Sequence, residues 1–309
     1  MNKLAAQNFA ELCAIYKSAK IGRSLRFFYR LCCFSRYFFI IFCMSEDFNP
    51  RIIALITDFG TADYFVGAMK GVILSINPAA QTIDITHEIP PQNIASASFA
   101  LRACYRNFPA KTIFVAVVDP GVGSNRKTIL VETIDYFFIA PDNGLLSFVF
   151  DEAEDCRVYE LSNEQFFRRP ISRTFHGRDI FAPAAAHLSS GAKPEKFGAI
   201  IKNYVHAAKN KPQNSGENEI AAEIIHIDRF GNLITNLRKK DAPENFSLKI
   251  AGQTIEKMRE FYSEAESAEF FMIWGSAGFL EIVAFNDSAA ALLNAEIGQK
   301  VILRKTALI

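Results

Sequence analysis

Apolar and amphipathic stretches alternate along the chain after residue 50. Three runs rich in β-branched residues indicate strands, namely Arg51–Phe59, Gln81–Ile89 and Thr112–Asp119. Between them lie two stretches with apolar residues at helical spacing, Asp63–Pro78 and Asn93–Pro109. The order strand, helix, strand, helix, strand predicts a parallel sheet with helices packed on it.

The second half of the chain shifts towards short apolar runs. Thr128–Gly144 predicts a hairpin with its turn near residues 133–135, and Gly177–Gly191 predicts one more helix. Ala207–Glu219 is polar and lacks apolar periodicity, which predicts a linker. The strand-like runs after it contain no long helix and favour a small antiparallel barrel or sandwich. These runs are Ile220–Asp228, Phe246–Ile255, Phe270–Gly275, Phe279–Phe285 and Lys300–Lys305.

The length of 309 residues is enough for two ordinary domains. We predict an N-terminal α/β domain over residues 44–208, a linker over 209–218 and a C-terminal β domain over 219–309.

Residues 1–43 form a basic, aromatic extension of different character. Six cations lie between residues 17 and 36, and Glu11 is the only acid. The apolar run near residue 40 is shorter than the roughly 20 residues that span a bilayer. Two readings remain open: a basic helix on a membrane surface, or a start placed too far upstream, with translation beginning at Met44. We favour the second, so the extension is expected to be untranslated or disordered.

Charge and cysteine content narrow the class of protein. The formal net charge is +1, so no strong field would attract nucleic acid or an anionic membrane. Of six cysteines, only Cys104 and Cys156 belong to the predicted domains, which favours two free thiols in a reducing cytoplasm. No metal-ligand spacing occurs and the histidines are scattered, so we expect no metal site.

Polar residues follow two of the predicted parallel strands. Asp58 and Asp119 lie at strand ends, where ligands bind in open α/β sheets. After Asp119, Gly121 and Gly123 allow a ligand to approach the backbone closely, and Arg126 lies near enough in sequence to return to the same place. Taken alone, such a pair is more often a surface salt bridge than a catalytic pair, so this interpretation remains open.

A second candidate stretch is Thr174–Phe181, which carries His176, Arg178 and Asp179 just before a helix. It would serve as a helix cap with one solvated histidine. The aromatic residue before His176 and the apolar helix after it would exclude water and make adjacent charges costly. We therefore favour a functional His176.

Two further motifs lie in the predicted β domain. Asp228 and Asn232 flank a Phe-Gly pair, which suits a ligand site and an ordinary β-turn equally well. Ser276 lies in a glycine-flanked turn, and Glu281 interrupts an apolar strand, where a carboxylate should face a partner or a ligand. Composition and spacing thus indicate an enzyme-like α/β domain with a ligand site, followed by a β domain.

Five motifs in order resemble one known family. They are TDFG (57–60), DPGVG (119–123), PDNG (141–144), FHGRDIF (175–181) and DRFGN (228–232). The chain from Arg51 onwards resembles the adenosine-forming S-adenosylmethionine (SAM) hydrolases, also called SAM hydroxide adenosyltransferases, which are relatives of the SAM-dependent fluorinase and chlorinase.

The resemblance implies a fold and an assembly. It implies a Rossmann-like N-terminal α/β domain and a C-terminal antiparallel β-barrel domain. It further implies a homotrimer in which SAM binds between the N-terminal domain of one subunit and the C-terminal domain of its neighbour. SAM is the substrate, and neither a metal nor an organic cofactor is expected.

The resemblance also implies roles for individual residues. Asp119, Arg126 and His176 match the family's triad, which places or activates water, and Asp119 also counts among the substrate-binding residues. Asp58 would hold the ribose hydroxyls, and Asp228 and Asn232 the methionine end. Ser276 and Glu281 would contact the substrate or its adenine. Ala277 departs from the halogenases, in which an arginine follows the serine.

These roles imply hydrolysis of SAM to adenosine and L-methionine. The sulfonium is already a good leaving group, whereas water, with a pKa near ~15.7, needs activation at the ribose C5′. We expect Arg126 to stabilise developing hydroxide, His176 to take the proton and Asp119 to orient the pair. The alternatives are a SAM-dependent halogenase, a non-catalytic protein that binds SAM or adenosine, and an oligomeric structural protein.

Overall fold

The computed structural model describes residues 52–207, 211–266 and 269–306. The expectations for residues 1–43 and for a start at Met44 lie outside these ranges. The first elements follow the predicted order: β1 (Ile52–Thr57), α1 (Phe65–Ile76), β2 (Gln81–Thr86), α2 (Ile94–Cys104) and β3 (Ile113–Val117). Strand β1 pairs in parallel with both β2 and β3, so the carboxyl ends of β1 and β3 lie side by side.

The rest of the first sheet is mixed. The predicted hairpin is present as β4 (Thr128–Thr133) and β5 (Phe137–Pro141), with β5 parallel to β3. Two elements missed by sequence analysis follow: α3 (Ser147–Glu152) and β6 (Cys156–Glu160), which pairs antiparallel with β4. The strand order is therefore β2-β1-β3-β5-β4-β6.

Helices cover both faces of this sheet, which explains why the strands are continuous apolar runs. In β1, Ile53 and Leu55 pack towards one face with residues of α1, and Ala54 and Ile56 towards the other with residues of α2. This Rossmann-like layering confirms the predicted α/β class.

The predicted helix after residue 177 begins differently from the expectation. Gly177–Phe181 forms a π-helical turn, and α4 (Ala182–Ser189) continues from it. A π turn widens the backbone spacing and is common at functional sites. Short 3₁₀ turns occupy Tyr105–Asn107, Glu164–Phe166, Pro194–Lys196, Lys239–Asp241 and Tyr262–Glu264.

The C-terminal strands form a second, antiparallel sheet that nearly closes into a barrel. The elements of this part are β7 (Gln213–Gly216), β8 (Glu219–Ile227), β9 (Leu233–Arg238), β10 (Phe246–Ile250), β11 (Gln253–Ile255), β12 (Phe270–Trp274), β13 (Phe279–Ala284), α5 (Ala289–Leu293) and β14 (Lys300–Lys305). Its order is β11-β10-β14-β8-β9-β13-β12, and a bridge between Met258 and Met272 connects the segment after β11 to β12 at the open side. Of the two predicted architectures, the barrel is therefore the correct one. Strand β9 was not predicted, and the short β7 pairs with β8 inside the region expected to be a linker.

Aromatic and charged side chains join the α/β layer to the barrel. Phe99 of α2 stacks on His226 of β8 with ring centroids 4.6 Å apart. Glu152 of α3 accepts hydrogen bonds from Arg102 (2.7 Å) and, across the boundary, from Arg238 of β9 (3.4 Å). These contacts fix the barrel against α2 and α3.

None of the helices in the described part of the chain has the length and apolar character needed to cross a bilayer.

Candidate functional site

Asp119, Arg126 and His176 meet beyond the carboxyl end of β3. Arg126 donates from Nε to Asp119 Oδ1 (2.7 Å) and from Nη2 to Asp119 Oδ2, and the same Nη2 lies 2.8 Å from His176 Nδ1. The side chains of Arg126 and Asp119 are only 10% and 5% exposed. The pair is thus buried, contrary to the surface salt-bridge reading. We call these three residues the Asp–Arg–His cluster.

The glycine-rich loop brings the three residues together. Turns closed by Val122 N to Asp119 O (3.2 Å) and Ser124 N to Gly121 O (3.1 Å) reverse the chain, so that Arg126 faces back to Asp119. Gly123 has a φ of 78°, and a Cβ there would overlap the carbonyl oxygen of Arg173. Glycine is required because this loop packs against the backbone that leads to His176.

The geometry determines which nitrogen of His176 carries the proton. A guanidinium can only donate, so Nδ1 must accept from Arg126 and the neutral ring is protonated at Nε2. Burial lowers the pKa of His176, and the charge of Arg126 lowers it further against opposing effects of Asp119 and Asp179. The imidazole is therefore neutral at pH 7, with an N–H available at Nε2.

The FHGRDIF motif supports His176 from both sides. Phe175 packs edge-on against Phe59 and Phe65, with ring centroids 5.9 and 5.2 Å away. Asp179 is fully buried and accepts from Arg178 Nε (2.7 Å) and from a backbone amide. Burial opposes ionisation of Asp179, but these hydrogen bonds lower its pKa overall. The adjacent charges that looked costly in the sequence therefore neutralise each other and hold the π turn.

Asp58 lies just after β1, next to the strand that precedes Asp119. Its Oδ2 accepts from the backbone amide of Gln92 at 2.8 Å. Asn143 of the PDNG motif donates to the carbonyl oxygen of Val118 at 2.9 Å and so ties the end of β5 to the end of β3. Sequence analysis gave PDNG as one of the five family motifs but assigned no role to Asn143.

The barrel carries a second group of the proposed substrate-binding residues. Asp228 accepts from the backbone and side-chain amides of Asn232, both at 2.9 Å, so the Phe-Gly turn is also held internally. Burial and then the charge of Asp228 raise the pKa of Glu281. Tyr262, which sequence analysis missed, donates to Glu281 at 3.3 Å. Ser276 is exposed in the turn before β13.

Within the described ranges, no hydrogen bond or ion pair joins the Asp–Arg–His cluster to Asp228 or Glu281. The same ranges contain no group of three or more His, Cys, Asp or Glu side chains arranged to hold a metal ion. Asp119, Arg126 and His176 are thus in contact at the sheet edge, whereas Asp228 with Asn232 and Tyr262 with Glu281 form contacts in the barrel.

Fold and site together define a class of protein: a Rossmann-like α/β domain with a buried Asp–Arg–His cluster, followed by a small β-barrel with a carboxylate pair. The model of the SAM hydroxide adenosyltransferase N-terminal domain matches residues 53–198, and that of the C-terminal domain matches residues 222–302. The chain belongs to the SAM hydroxide adenosyltransferase family, which confirms the resemblance carried by the five motifs.

Several known proteins are similar over most of the chain. A protein of Methanocaldococcus jannaschii named (R)-S-adenosyl-L-methionine hydrolase is 37% identical over 263 residues, covering 79% of this chain and 92% of the relative. A protein of the same name from Thermus thermophilus is 32% identical, covering 81% and 98%. A fluorinase of Actinoplanes sp. is 29% identical, covering 64% and 75%. The crystal structure of an uncharacterized conserved protein from Thermotoga maritima superposes with a TM-score of 0.76 at 35% identity, covering 82% and 100%.

Proposed function

We propose that this protein hydrolyses SAM to adenosine and L-methionine by attack of water-derived hydroxide at the ribose C5′. The observation that carries the proposal is the buried Asp–Arg–His cluster at the carboxyl edge of the sheet. Relatives named (R)-S-adenosyl-L-methionine hydrolase at 32–37% identity support it. The fluorinase relative is more distant, which favours hydrolysis over halogenation.

The cluster supports stabilisation of hydroxide more than abstraction of a proton by His176. Nδ1 is engaged by Arg126, and Nε2 carries the only ring proton. His176 would then donate from Nε2 to the nucleophile, in contrast to the expectation that it takes the proton. The water loses its proton to solvent, and the positive Arg126 makes that loss easier. The hydroxide oxygen then bonds to C5′, and the C5′–S electron pair returns to sulfur, which leaves neutral methionine thioether.

This assignment of the His176 proton is testable by two substitutions. His176→Gln places an N–H near the position of Nε2, whereas His176→Ala removes it. We expect His176→Gln to retain more of kcat than His176→Ala, with kcat of the wild type rising with pH as hydroxide forms. Equal loss in both variants, together with a bell-shaped profile whose acid limb follows His176, would support a general base instead.

No metal or organic cofactor is needed for this reaction, because the positively charged sulfonium leaves as a neutral thioether. We also propose a cytoplasmic location, supported by the free thiols of Cys104 and Cys156.

The direct test uses the two sulfonium epimers of SAM in oxygen-18 water. The names of the hydrolase relatives specify the R form, so we expect faster turnover of that epimer and label in the 5′-hydroxyl of adenosine. Equal turnover of both epimers would contradict the expected preference for the R epimer. A halogenated adenosine as the main product in the presence of halide would favour a halogenase. Binding without turnover would favour a sequestering protein.

We further propose that the complete site forms between subunits of a homotrimer. Asp58 would hold the ribose, Asp119 would also face the substrate, and the barrel of a neighbour would add its substrate-binding residues. Those residues are Asp228, Asn232, Ser276 and Glu281. Within the described residues of one chain, no hydrogen bond or ion pair joins the two groups, which is consistent with this arrangement.

Subunit mixing tests the shared site. His176→Ala and Asp228→Ala are each expected to be inactive alone. Refolded mixtures should regain activity, because some interfaces then combine two intact halves. A trimer by light scattering is expected as well. Absence of complementation in verified mixed oligomers would overturn the shared site.

A further inference from the structure

A chain of polar side chains, buried at Thr57 and His87 and partly exposed at Asp84 and Lys70, adjoins the turn that carries Asp58. Thr57 Oγ1 is 2.8 Å from His87 Nδ1, and His87 Nε2 is 3.0 Å from Asp84 Oδ1. Lys70 Nζ donates to Asp84 Oδ2 at 2.6 Å. Thr57 is 0% exposed and His87 4%. Buried polar groups at these positions cost free energy unless they are paired, so the chain calls for an explanation.

The donors of this chain point towards Asp84 from both ends. Lys70 holds Asp84 as a carboxylate, whose pKa is lowered by Lys70 and His87 despite the opposing effect of burial. A carboxylate beside Nε2 favours the proton on that nitrogen, although its N–H is not well aimed at the oxygen. Nδ1 then accepts from the Thr57 hydroxyl, and Thr57 Oγ1 accepts from the amide of Phe59 at 3.2 Å.

Thr57, His87 and Asp84 are arranged like the nucleophile, base and acid of a catalytic triad. They cannot act on a substrate, because Thr57 is completely buried. Its effect is on the backbone beyond β1. The carbonyl oxygen of His87 accepts from Gly60 N (2.8 Å), and Gln92 N donates to Asp58 Oδ2 (2.8 Å). The segment after β2 therefore holds the TDFG turn at Thr57, Asp58 and Gly60.

This support is needed because strand pairing of β1 ends at Thr57. Beyond the strand, the turn has no ladder hydrogen bonds of its own, and backbone groups in such places require other partners. Phe59, between the supported positions, packs on Phe175, the neighbour of His176. Displacement of the turn would therefore first move Asp58 and only secondarily the Asp–Arg–His cluster.

We propose that His87 is a positioning residue that, through Thr57, sets the Asp58 carboxylate to receive the two ribose hydroxyls. The inference rests on the proposed function, which assigns Asp58 to the ribose. A carboxylate held in advance loses less entropy on binding and keeps the orientation that two hydroxyls require.

The test compares adenosine with 2′,3′-dideoxyadenosine, which lacks both hydroxyls. His87→Phe keeps a ring but removes both nitrogens. We expect the wild type to prefer adenosine, and His87→Phe to lose about 10-fold of that preference, the size of one good hydrogen bond. Dideoxyadenosine affinity should stay within about 2-fold, as should kcat, while KM for SAM rises about 10-fold. His87→Asn, which offers an acceptor near Nδ1, should restore most of the preference.

A matched control separates positioning from general destabilisation. Asn77 Nδ2 donates to Ser189 Oγ at 2.9 Å, and both residues are buried. Asn77 directly follows α1, whereas the TDFG turn precedes this helix. Ser189→Ala should lower the urea midpoint without altering the adenosine preference. If His87→Phe does not fold, Thr57→Val, with Thr57→Ser as its conservative partner, makes the same comparison.

Two outcomes separate the assignment of Asp58 to the ribose from the positioning role of His87. Equal binding of adenosine and dideoxyadenosine by the wild type would contradict the assignment of Asp58 to the ribose. A wild-type preference that His87→Phe and Thr57→Val leave intact would overturn the positioning role alone.

Discussion

Replacement of Arg126 by methionine tests the Asp–Arg–His cluster most directly. Methionine keeps much of the length and volume of the arginine but removes the guanidinium. Asp119, whose side chain is 5% exposed, would then be a buried carboxylate without its cation. Breaking a buried ion pair from one side typically costs about 3–5 kcal/mol. We expect Arg126→Met to lower the free energy of unfolding by about that amount.

The paired replacement supplies the internal control. Arg126→Met with Asp119→Leu removes both charges, and apolar replacements of buried pairs are often nearly neutral. The double variant should therefore lose far less than the sum of the two single variants. Urea unfolding followed by circular dichroism measures all three. A cost of Arg126→Met below about 1 kcal/mol, or a double variant whose loss equals the sum of the two single losses, would refute the reasoning. The pair would then contribute no more than an ordinary surface salt bridge.

The same variant shifts the titration of His176. The charge of Arg126 is one cause of the lowered pKa, so its removal beside the remaining Asp119 should raise the pKa. In the wild type, this histidine gains a proton below about pH 6.5 in the unfolded chain, whereas folded His176 stays neutral down to its lower pKa. The free energy of unfolding therefore falls as the pH drops from about 6.5 to the folded pKa. Arg126→Met should weaken that dependence, because burial still lowers the pKa of His176 but the charge of Arg126 no longer does. Imidazole resonances, assigned with His176→Gln, report the pKa, and kcat should fall by about 10²–10³.

Three further substitutions probe other parts of the molecule. Gly123→Ala would overlap the carbonyl oxygen of Arg173 at a φ of 78°, and we expect the urea-derived free energy of unfolding to fall by about 3 kcal/mol. Glu269 has a pKa lowered from 4.5 to about 2, chiefly by a lysine hydrogen bond, so wild-type stability should fall as the pH drops through that window. Glu269→Gln should flatten this part of the pH profile of the thermal midpoint. Gly275→Ala would overlap the Glu281 carboxylate and should weaken SAM binding in calorimetry while the fold persists.

Gly191 provides the comparison for Gly123. Its φ is 93°, but a Cβ there meets open space. Gly191→Ala should therefore show only the left-handed backbone cost, about 1–2 kcal/mol. The additional loss in free energy of unfolding for Gly123→Ala measures the overlap with the backbone before His176. Equal losses at both sites would contradict this close packing.

Much of the fold and the outline of the site were predictable from local sequence. Apolar runs broken by Asp58 and Asp119 indicated strands that end in polar residues, and alternation with helices indicated their parallel pairing. Strand β6 and helix α3 were missed because they have only five and six residues, which is too short for a clear apolar period. The motif order identified the family because each motif combines glycines and charges that a simple turn does not need.

The sequence by itself determined the order of the strands and helices in the α/β part, the strand ends that carry Asp58 and Asp119, and the set of candidate residues. Only the tertiary structure decided that Arg126 contacts Asp119 and His176 at once, which assigns the ring proton to Nε2, and that Thr57, the neighbour of Asp58, contacts His87. It also decided between barrel and sandwich through the bridge of Met258 to Met272. The physical reason is the same in each case. Local periodicity records which residues are buried, whereas contacts between segments tens of residues apart depend on strand order, turn geometry and packing, which form together on folding.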